Sequence, residues 1–478
     1  MKQGDTLSTI LFNLYINDLP NIFSFDGSDP IVVDHSPINC LIYADDLVIM
    51  STSAEGLQNC INKLATYCDK WKLQVNIKKT NVILYNRQGS LIKKYNFRFK
   101  SNNIEVTKQY KYLGFIFSCS GSSKIGITNL INQAQKAWFS IKYYLSASKQ
   151  KNINTYLTLF DTQIKPILLY ACEAWADSIN GNIDDASILT KNKLETFQIS
   201  IYKQLLGVSR KTTNVAVLLE LGKHPISTYM HYQAIKYFSR LSSIRSERLL
   251  HESYNDEKRK FESGENGFIN YITNVLNRIG MSNLWIEQIE YDKNNAVEKT
   301  PITKTILTRL HDISSQTALT HLQNTKKLSF LKSLKVIYKN ENYLKIKNFS
   351  NRRAITKLRT SNHTLAIEVG RWSKVERENR ICKQCAEHKI EDEIHLLFEC
   401  TKYTAGRKTT FEIIKGTTNI DLSIKGNEIE NLQLLFNSSS LSSLNALGKF
   451  IKIHYQIENF KSKHPRLLKF NIQMLHCI

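Results

Sequence analysis

Apolar residues recur at three- and four-residue spacing over most of this chain and alternate only over a few short stretches. The pattern therefore predicts many helices and a small number of strands. After Gly4-Asp5, Leu7, Ile10, Leu11, Leu14 and Tyr15 fall on one helical face, which Pro20 is expected to close. The run CLIYADDLVIM, residues 40–50, is too short for two helices, and its β-branched and aromatic residues suit strand–turn–strand. From Ala54 to Trp71 the apolar positions Leu57, Cys60, Ile61, Leu64, Cys68 and Trp71 return to helical period. Asn81–Tyr85 and Tyr110–Phe117 follow as strand candidates, with NFRF and NIEV between them as a weaker hairpin. This order predicts an α+β domain, an antiparallel sheet with helices packed on one face.

Beyond Ser122 the pattern is helical. Ile127, Leu130, Ile131, Ala134, Ala137 and Trp138 form one stripe, and LTLFDTQIKPILLYACEAWA reads as a helix pair broken near Pro166. Tyr254–Gly267 and Glu290–Pro301 are polar, contain breakers and read as linkers. The resulting division is a partial sheet domain at 1–120, a helical region at 121–250, a helical extension with polar linkers at 251–350, a basic segment with a cysteine cluster at 351–410, and a helical tail at 411–478.

Charge changes the picture. With 65 Lys+Arg against 42 Asp+Glu the formal net charge is +23, which favours a polyanionic partner. No apolar run of about 18 residues is present, so a transmembrane span is not expected. The amino terminus lacks an apolar signal core, which argues against secretion. Cys40, Cys60, Cys68, Cys119, Cys172 and Cys477 are scattered and read as reduced thiols of an intracellular protein, nuclear or cytoplasmic. Residues 331–380 hold 13 Lys+Arg against 4 Asp+Glu, interleaved with Tyr338, Tyr343, Phe349 and Trp372. Such a segment suits nucleic-acid contact, although a solvated charged face reads the same way.

Two constellations carry chemistry. In the first, Asp45 and Asp46 interrupt an apolar run, where one unpaired buried carboxylate would cost several kcal/mol. Either they sit on a water-exposed hairpin turn, or they bind divalent cations. The second is Cys382-x2-Cys385-x9-His395-x4-Cys400. Two cysteines so spaced converge on one ion, and His395 and Cys400 can complete a zinc tetrahedron from a short helical segment. His388 competes with His395, but its spacing from Cys385 makes a cramped loop.

Gln3-Gly4 followed by Leu7-Ser8 and Leu11-Phe12, then Tyr43-Ala44-Asp45-Asp46, then Trp71, Asn76 and Lys79-Thr80, then Tyr112-Leu113-Gly114, resemble the successive palm motifs of reverse transcriptases of the non-LTR, LINE-like retrotransposon class. The family usually has Pro where this chain has Thr9. The resemblance implies two-metal nucleotidyl transfer with Mg²⁺ at Asp45 and Asp46, nucleoside triphosphates as substrates, and an RNA template with a DNA primer or target as partners. It places Gln3, Gly4, Tyr43 and Ala44 beside nucleotide, template or primer, Lys79 by the triphosphate, and Tyr112, Leu113 and Gly114 at the primer end. An ordinary role in the fold remains open for each residue outside the Asp pair. The helical region would be the thumb. Leu358–Trp372 with the cysteine cluster resembles the family's carboxyl-terminal zinc knuckle, a nucleic-acid-binding element.

The family carries a further metal-binding aspartate upstream of the Gln-Gly motif, and Gln3 already stands at the amino terminus. Asp34 reads as a loop residue. The expectation is therefore the carboxyl-terminal part of such a polymerase, truncated and inactive alone. The alternatives are a non-catalytic nucleic-acid-binding remnant and a group II intron maturase-like protein.

Overall fold

The structure is a computed structural model. It describes residues 6–23, 27–148, 152–179, 192–242, 244, 248–282 and 300–454. The chain forms two compact units, each assembled from separate stretches. The first comprises Met1–Gln133, Leu169–Asn180 and Met230–Leu307, and the second comprises Ala134–Leu168, Gly181–Tyr229 and Thr308–Ile478. No helix of the described residues is long and apolar enough to cross a membrane.

The first unit is α+β. It begins with α1 (Thr6–Tyr15) and α2 (Leu19–Ile22). Pro20 lies in the first turn of α2 rather than ending α1, in a position where a missing backbone N–H costs nothing. The apolar face of α1 forms as its spacing predicts, yet Leu7, Ile10, Leu11 and Leu14 are exposed. Two hairpins follow, β1 (Ile31–Val33) with β2 (Ser36–Ile38), and β3 (Cys40–Tyr43) with β4 (Asp46–Ile49).

Helix α3 (Ala54–Lys70) starts where the Ser53 side chain accepts a hydrogen bond from the Gly56 amide at 2.9 Å. Its buried face of Cys60, Ile61, Leu64, Tyr67 and Cys68 packs with Ile16, Leu19, Phe23, Val82, Phe97, Phe99 and Ile104 into one core. Strands β5 (Asn81–Val82), β6 (Phe97–Phe99) and β7 (Asn102–Val106) make a sheet of order β5-β7-β6, and β8 (Gln109–Tyr112) pairs with β9 (Phe115–Ser118). In place of the expected single antiparallel sheet, the described residues form four small sheets, and β5 pairs with β7 in parallel. Tyr110–Phe117 is a hairpin folded at Leu113-Gly114, not one strand.

Helix α4 (Lys124–Ala147) realises the first helical stripe. Helix α5 (Ile153–Leu159) continues through a π-turn at Phe160–Ile164 into α6 (Lys165–Leu168). The predicted break near Pro166 therefore does not occur there. The wider π register accommodates a residue without an N–H, and the helix ends only at Leu168. Helices α7 (Lys193–Leu206), α8 (Asn214–Leu221), α9 (Ile226–Leu241), α10 (Leu249–Glu262) and α11 (Phe268–Arg278) follow. Residues 254–262 of the stretch that reads as a linker belong to helix α10. Lys260 bridges Asp256 at 2.8 Å and Glu257 at 2.9 Å, and Arg259 holds Asp34 at 2.6 Å. The other expected linker lies outside the described residues apart from its last two.

The second unit continues with α12 (Thr300–Asn324), α13 (Ser329–Leu334), α14 (Phe349–Arg359), α15 (Ala366–Trp372), α16 (Thr404–Thr418), α17 (Glu428–Asn437) and α18 (Leu441–His454). Val215, Ala216 and Leu219 of α8 pack with Ala318, Leu322, Leu328 and Leu331. Beside them runs a buried charge network. The Arg359 Nε donates to both oxygens of Glu220 at 3.0 Å, and its Nη2 donates to Glu220 Oε1 at 2.9 Å. Glu341 lies 3.3 Å from the guanidinium and accepts from Lys335, while the Tyr343 hydroxyl donates to Glu220. Two cations and two carboxylates balance, which is the condition for burying them.

Removing one member leaves the opposite charge uncompensated. Glu220→Ala is therefore expected to lower the unfolding free energy of the protein by about 3–5 kcal/mol, measured by denaturant titration. A loss under about 1 kcal/mol would show that Arg359 is satisfied without it.

Candidate active-site hairpins and metal centre

In the β3–β4 hairpin Cys40 pairs with Ile49, Ile42 with Leu47, and Tyr43 with Asp46, so the turn consists of Ala44 and Asp45. Alternation sends Cys40, Ile42, Leu47 and Ile49 toward the core of the first unit and leaves Leu41 and Tyr43 exposed. The register carries Asp45 and Asp46 past the end of the apolar ladder into solvent, where both are exposed. Their charges bear no burial cost. Ala44 adopts φ 52°, a left-handed conformation that disfavours a residue with a Cβ. Backbone strain at the tip of a short hairpin is a common property of functional sites.

The β8–β9 hairpin turns through Leu113 at φ 44° and Gly114 at φ 83°, the two left-handed residues that suit a two-residue connection. Burial first, and then the neighbouring Asp46 carboxylate, push the Tyr112 hydroxyl above its ordinary pKa. The structure therefore brings Tyr112 within electrostatic reach of Asp46. Lys79 is exposed and ends a 3₁₀ turn, and its carbonyl accepts from the Tyr110 hydroxyl at 2.7 Å. Gln3 and Gly4 lie outside the described residues. Asp34 occupies the β1–β2 turn at φ 56° and is held by Arg259.

Tyr170 carries no local signal in the sequence, because its partner stands 57 residues earlier. Its hydroxyl donates to the Leu113 carbonyl at 2.5 Å. A Cβ on Gly114 would lie 3.2–3.3 Å from the Tyr170 ring. The Tyr170 carbonyl in turn accepts from the indole of buried Trp175 at 3.1 Å. The hairpin tip is thus braced from the Leu169–Asn180 stretch of its own unit.

In the second unit the ligand atoms of Cys382, Cys385, His395 and Cys400 all lie within 4.8 Å of one another. Donors around tetrahedral zinc stand about 3.8 Å apart, so the set fits that ion. Ile381 bridges Ile390 and the Cys382 amide donates to the Lys389 carbonyl at 2.8 Å, folding Cys382 and Cys385 into a tight loop. His395 opens a π-turn, His395–Glu399, and Cys400 follows it. The His395 Nε2 stands 3.4 Å from Cys385 Sγ, while its Nδ1 faces Glu399 at 3.4 Å. A carboxylate behind the imidazole is the usual way to orient a ligating histidine. Burial pushes the Cys382 thiol up and Cys400 up to about 12, while the Glu387 backbone amide holds Cys385 below its ordinary value. A cation is what would turn these buried thiols into thiolates. Buried Arg407 donates to the carbonyls of Leu397 and Cys400 at 2.8 Å, fixing the far side. His388 is exposed at φ 49° and stands outside the cluster.

Among the described residues this is the one group of three or more His, Cys, Asp or Glu placed to hold a metal. Among the described residues no third ligating side chain joins Asp45 and Asp46. Two carboxylates with substrate phosphates still form a donor set suited to Mg²⁺. Of the aromatics in the basic segment, Tyr343 is fully buried in the Arg359 network and Tyr338 stacks on His224. Neither is placed to stack on a base, because packing inside the unit uses both rings. Phe349 and Trp372 remain exposed.

Residues 1–117 match the family described as reverse transcriptase (RNA-dependent DNA polymerase). The chain is 21% identical over 252 residues to an RNA-directed DNA polymerase from mobile element jockey of Drosophila funebris, covering 51% of this chain and 26% of that protein. It is 20% identical over 259 residues to a probable RNA-directed DNA polymerase from transposon BS of Drosophila melanogaster, covering 52% and 27%. A Pol polyprotein from the type-1 retrotransposable element R2 of Nasonia vitripennis is 25% identical over 144 residues, covering 28% and 14%. The matched part spans about a quarter of the length of the first two relatives.

Two substitutions test the brace on the β8–β9 tip. Gly114→Ala is expected to cost about 1–2 kcal/mol from its left-handed backbone, and Tyr170→Phe about 1 kcal/mol from the lost hydrogen bond. Native-state hydrogen exchange of the β8–β9 amides reads both, and Tyr170→Phe exchanging like wild type would remove the brace.

Proposed function

We infer that this chain, which carries a reverse transcriptase segment of the non-LTR retrotransposon type, takes part in RNA-directed DNA synthesis through Asp45 and Asp46. The observation that carries this reading is the Asp pair at the exposed tip of a two-residue hairpin, inside the matched residues and beside Tyr112. The two carboxylates would hold Mg²⁺, which supplies charge stabilisation for the attacking and leaving oxygens of nucleotidyl transfer. The strained turn fixes where the carboxylates point. Tyr112-Leu113-Gly114 would carry the primer end, and Lys79 would offer positive charge to the triphosphate. The partners are then an RNA template, a DNA primer or target, and nucleoside triphosphates. Cys382, Cys385, His395 and Cys400 would bind structural zinc in a nucleic-acid-binding knuckle.

A second reading, nucleic-acid binding without catalysis, is favoured by the lack of a third ligating group at the Asp pair among the described residues. Primer extension on an RNA template with Mg²⁺ separates the two. The chain is assayed alone and joined to a reverse transcriptase segment that supplies a further aspartate ahead of Gln3. Asp45→Asn is expected to reduce extension at least a thousandfold, on the scale of losing a principal electrostatic group. Extension by the chain alone would sink the second reading. Extension untouched by Asp45→Asn would sink the first.

The zinc assignment has its own test. Purified protein is expected to contain one zinc per chain, and a Cys382→Ala, Cys385→Ala variant none. Elemental analysis showing the same metal content in both would overturn the assignment.

A further inference from the structure

Asp34 lies close in sequence to the Asp45-Asp46 hairpin, yet the proposed chemistry leaves it unused. With His35 it forms the β1–β2 turn, because Val33 pairs with Ser36. Its side chain is only 11% exposed, and its backbone is left-handed at φ 56°. A residue other than glycine persists in that conformation where its surroundings hold it. Arg259 of α10 does so, with its Nη2 2.6 Å from Asp34 Oδ1 and 3.3 Å from Asp256 Oδ1. His35 stands 3.8 Å from the same Asp34 oxygen but is 85% exposed, so Arg259 supplies the near cation. A carboxylate so occupied is not open to a metal ion.

The arginine stands on a fixed mount. Tyr254 of α10 is buried, and its ring lies 6.1 Å from that of Phe238 on α9, centre to centre. Glu257 accepts from the Phe268 amide at 2.7 Å, which ties α10 to the start of α11. Lys260 bridges Asp256 and Glu257, so the acids beside Arg259 have a cation of their own.

From the clamped turn the restraint runs to the base of the β3–β4 hairpin. Only Asn39 separates β2 from β3. Its carbonyl accepts from the Met50 amide at 2.6 Å, and its side chain donates to the Ser28 carbonyl at 3.4 Å. Just past β4, the Ser51 hydroxyl donates to the Ser28 carbonyl at 2.9 Å and the Thr52 amide to the Asp29 carbonyl at 2.8 Å. Ser28 and Asp29 lead into β1, so both legs of the β3–β4 hairpin stand on the β1–β2 hairpin. A strand running from Asn39 to Tyr43 is about 13 Å long, and a rotation of about 5° at its base moves its tip about 1 Å. Misplacement on that scale can cost about a hundredfold in rate.

We propose that Arg259 is a positioning residue for Asp45 and Asp46: by clamping Asp34 to α10 it fixes the β1–β2 hairpin and, through it, the direction of the β3–β4 tip. Nη2 alone makes both contacts, so the clamp uses positive charge at one point rather than a guanidinium fork, and lysine can replace it. The inference rests on reading Asp45 and Asp46 as the metal-holding carboxylates. It adds to that site a residue outside the matched stretch 1–117.

Hydrogen exchange of the full chain and primer extension test it together, the second in whichever form of the protein extends. Arg259→Gln is expected to speed exchange of the β1–β2 and β3–β4 amides about fivefold and to leave β6–β9 at wild-type rates. In extension it is expected to lower kcat about tenfold and to raise the half-saturating Mg²⁺ concentration, with the KM for nucleotide unchanged. Arg259→Lys is expected to keep wild-type values in both assays. Asp34→Asn removes the same clamp from its other side and is expected to match Arg259→Gln. A loss in Asp34→Asn as deep as that in Asp45→Asn would make Asp34 a metal ligand and overturn the clamp. Faster exchange confined to β1–β2, or shared by every element of the unit, overturns the positioning role, as does wild-type Mg²⁺ dependence in Arg259→Gln. Each of these results leaves the proposed function standing. Failure of the wild-type protein to extend a primer in either form overturns both.

Discussion

Charge removed from water must meet opposite charge, and the pairing of Arg359 with Glu220 is where the second unit satisfies that condition. Helix α14 ends on the arginine and α8 nearly ends on the glutamate, so the hydrogen bonds at 2.9–3.0 Å fix two helices that are distant in the chain. Lys335, Glu341 and Tyr343 join the same network from the α13–α14 connection. The guanidinium also lies over the Phe436 ring at 4.5 Å, which brings in α17. A hydrophobic cluster alone tolerates sliding, because apolar contacts are not directional. A bidentate ion pair in a dry interior does not. In a chain with net charge +23, such internal neutralisation leaves the remaining excess on the surface, where it can act on a polyanion.

The same constraint separates the two chemical sites. Asp45 and Asp46 stay in water at the end of a ladder, so their charge requires no partner in the fold and remains free for a ligand. The thiols of Cys382 and Cys400 are buried with an imidazole, and burial raises their pKa values as long as no cation stands among them. The first arrangement suits a metal exchanged with substrate. The second suits one that stays as part of the fold.

Much of this was legible in the sequence where the information is local. The alternation in CLIYADDLVIM specifies the β3–β4 hairpin, the period of Ala54–Trp71 specifies α3, and the spacing Cys382-x2-Cys385-x9-His395-x4-Cys400 anticipates which ligands converge. What was not legible depends on partners far along the chain. Residues 254–267 are polar and read as a linker, yet those up to Glu262 belong to a helix whose Arg259 reaches Asp34. Pro166 announces a break that a π-turn absorbs. The sheets are small because β5 and β6 are only two and three residues long, and strand length is set by pairing rather than composition. Tyr343, which looked like a stacking residue in a basic run, is claimed by Glu220 from another helix.

Tyr170 illustrates why a candidate site is only partly visible in its own motifs. The residues Tyr112-Leu113-Gly114 can be read as a functional turn, but a two-residue hairpin by itself is marginal and free to fray. Its tip is held by a hydroxyl on the Leu113 carbonyl and a ring against Gly114, and that tyrosine is fixed in turn by Trp175. Glycine at 114 satisfies two demands at once, a left-handed backbone and room for the ring, so its identity is set as much by Tyr170 as by the turn. Since Tyr112 is within reach of Asp46, a change at Tyr170 can displace the candidate primer-side residues without altering any residue of the motif. Positioning of this kind extends the site into a part of the chain where no catalytic motif occurs.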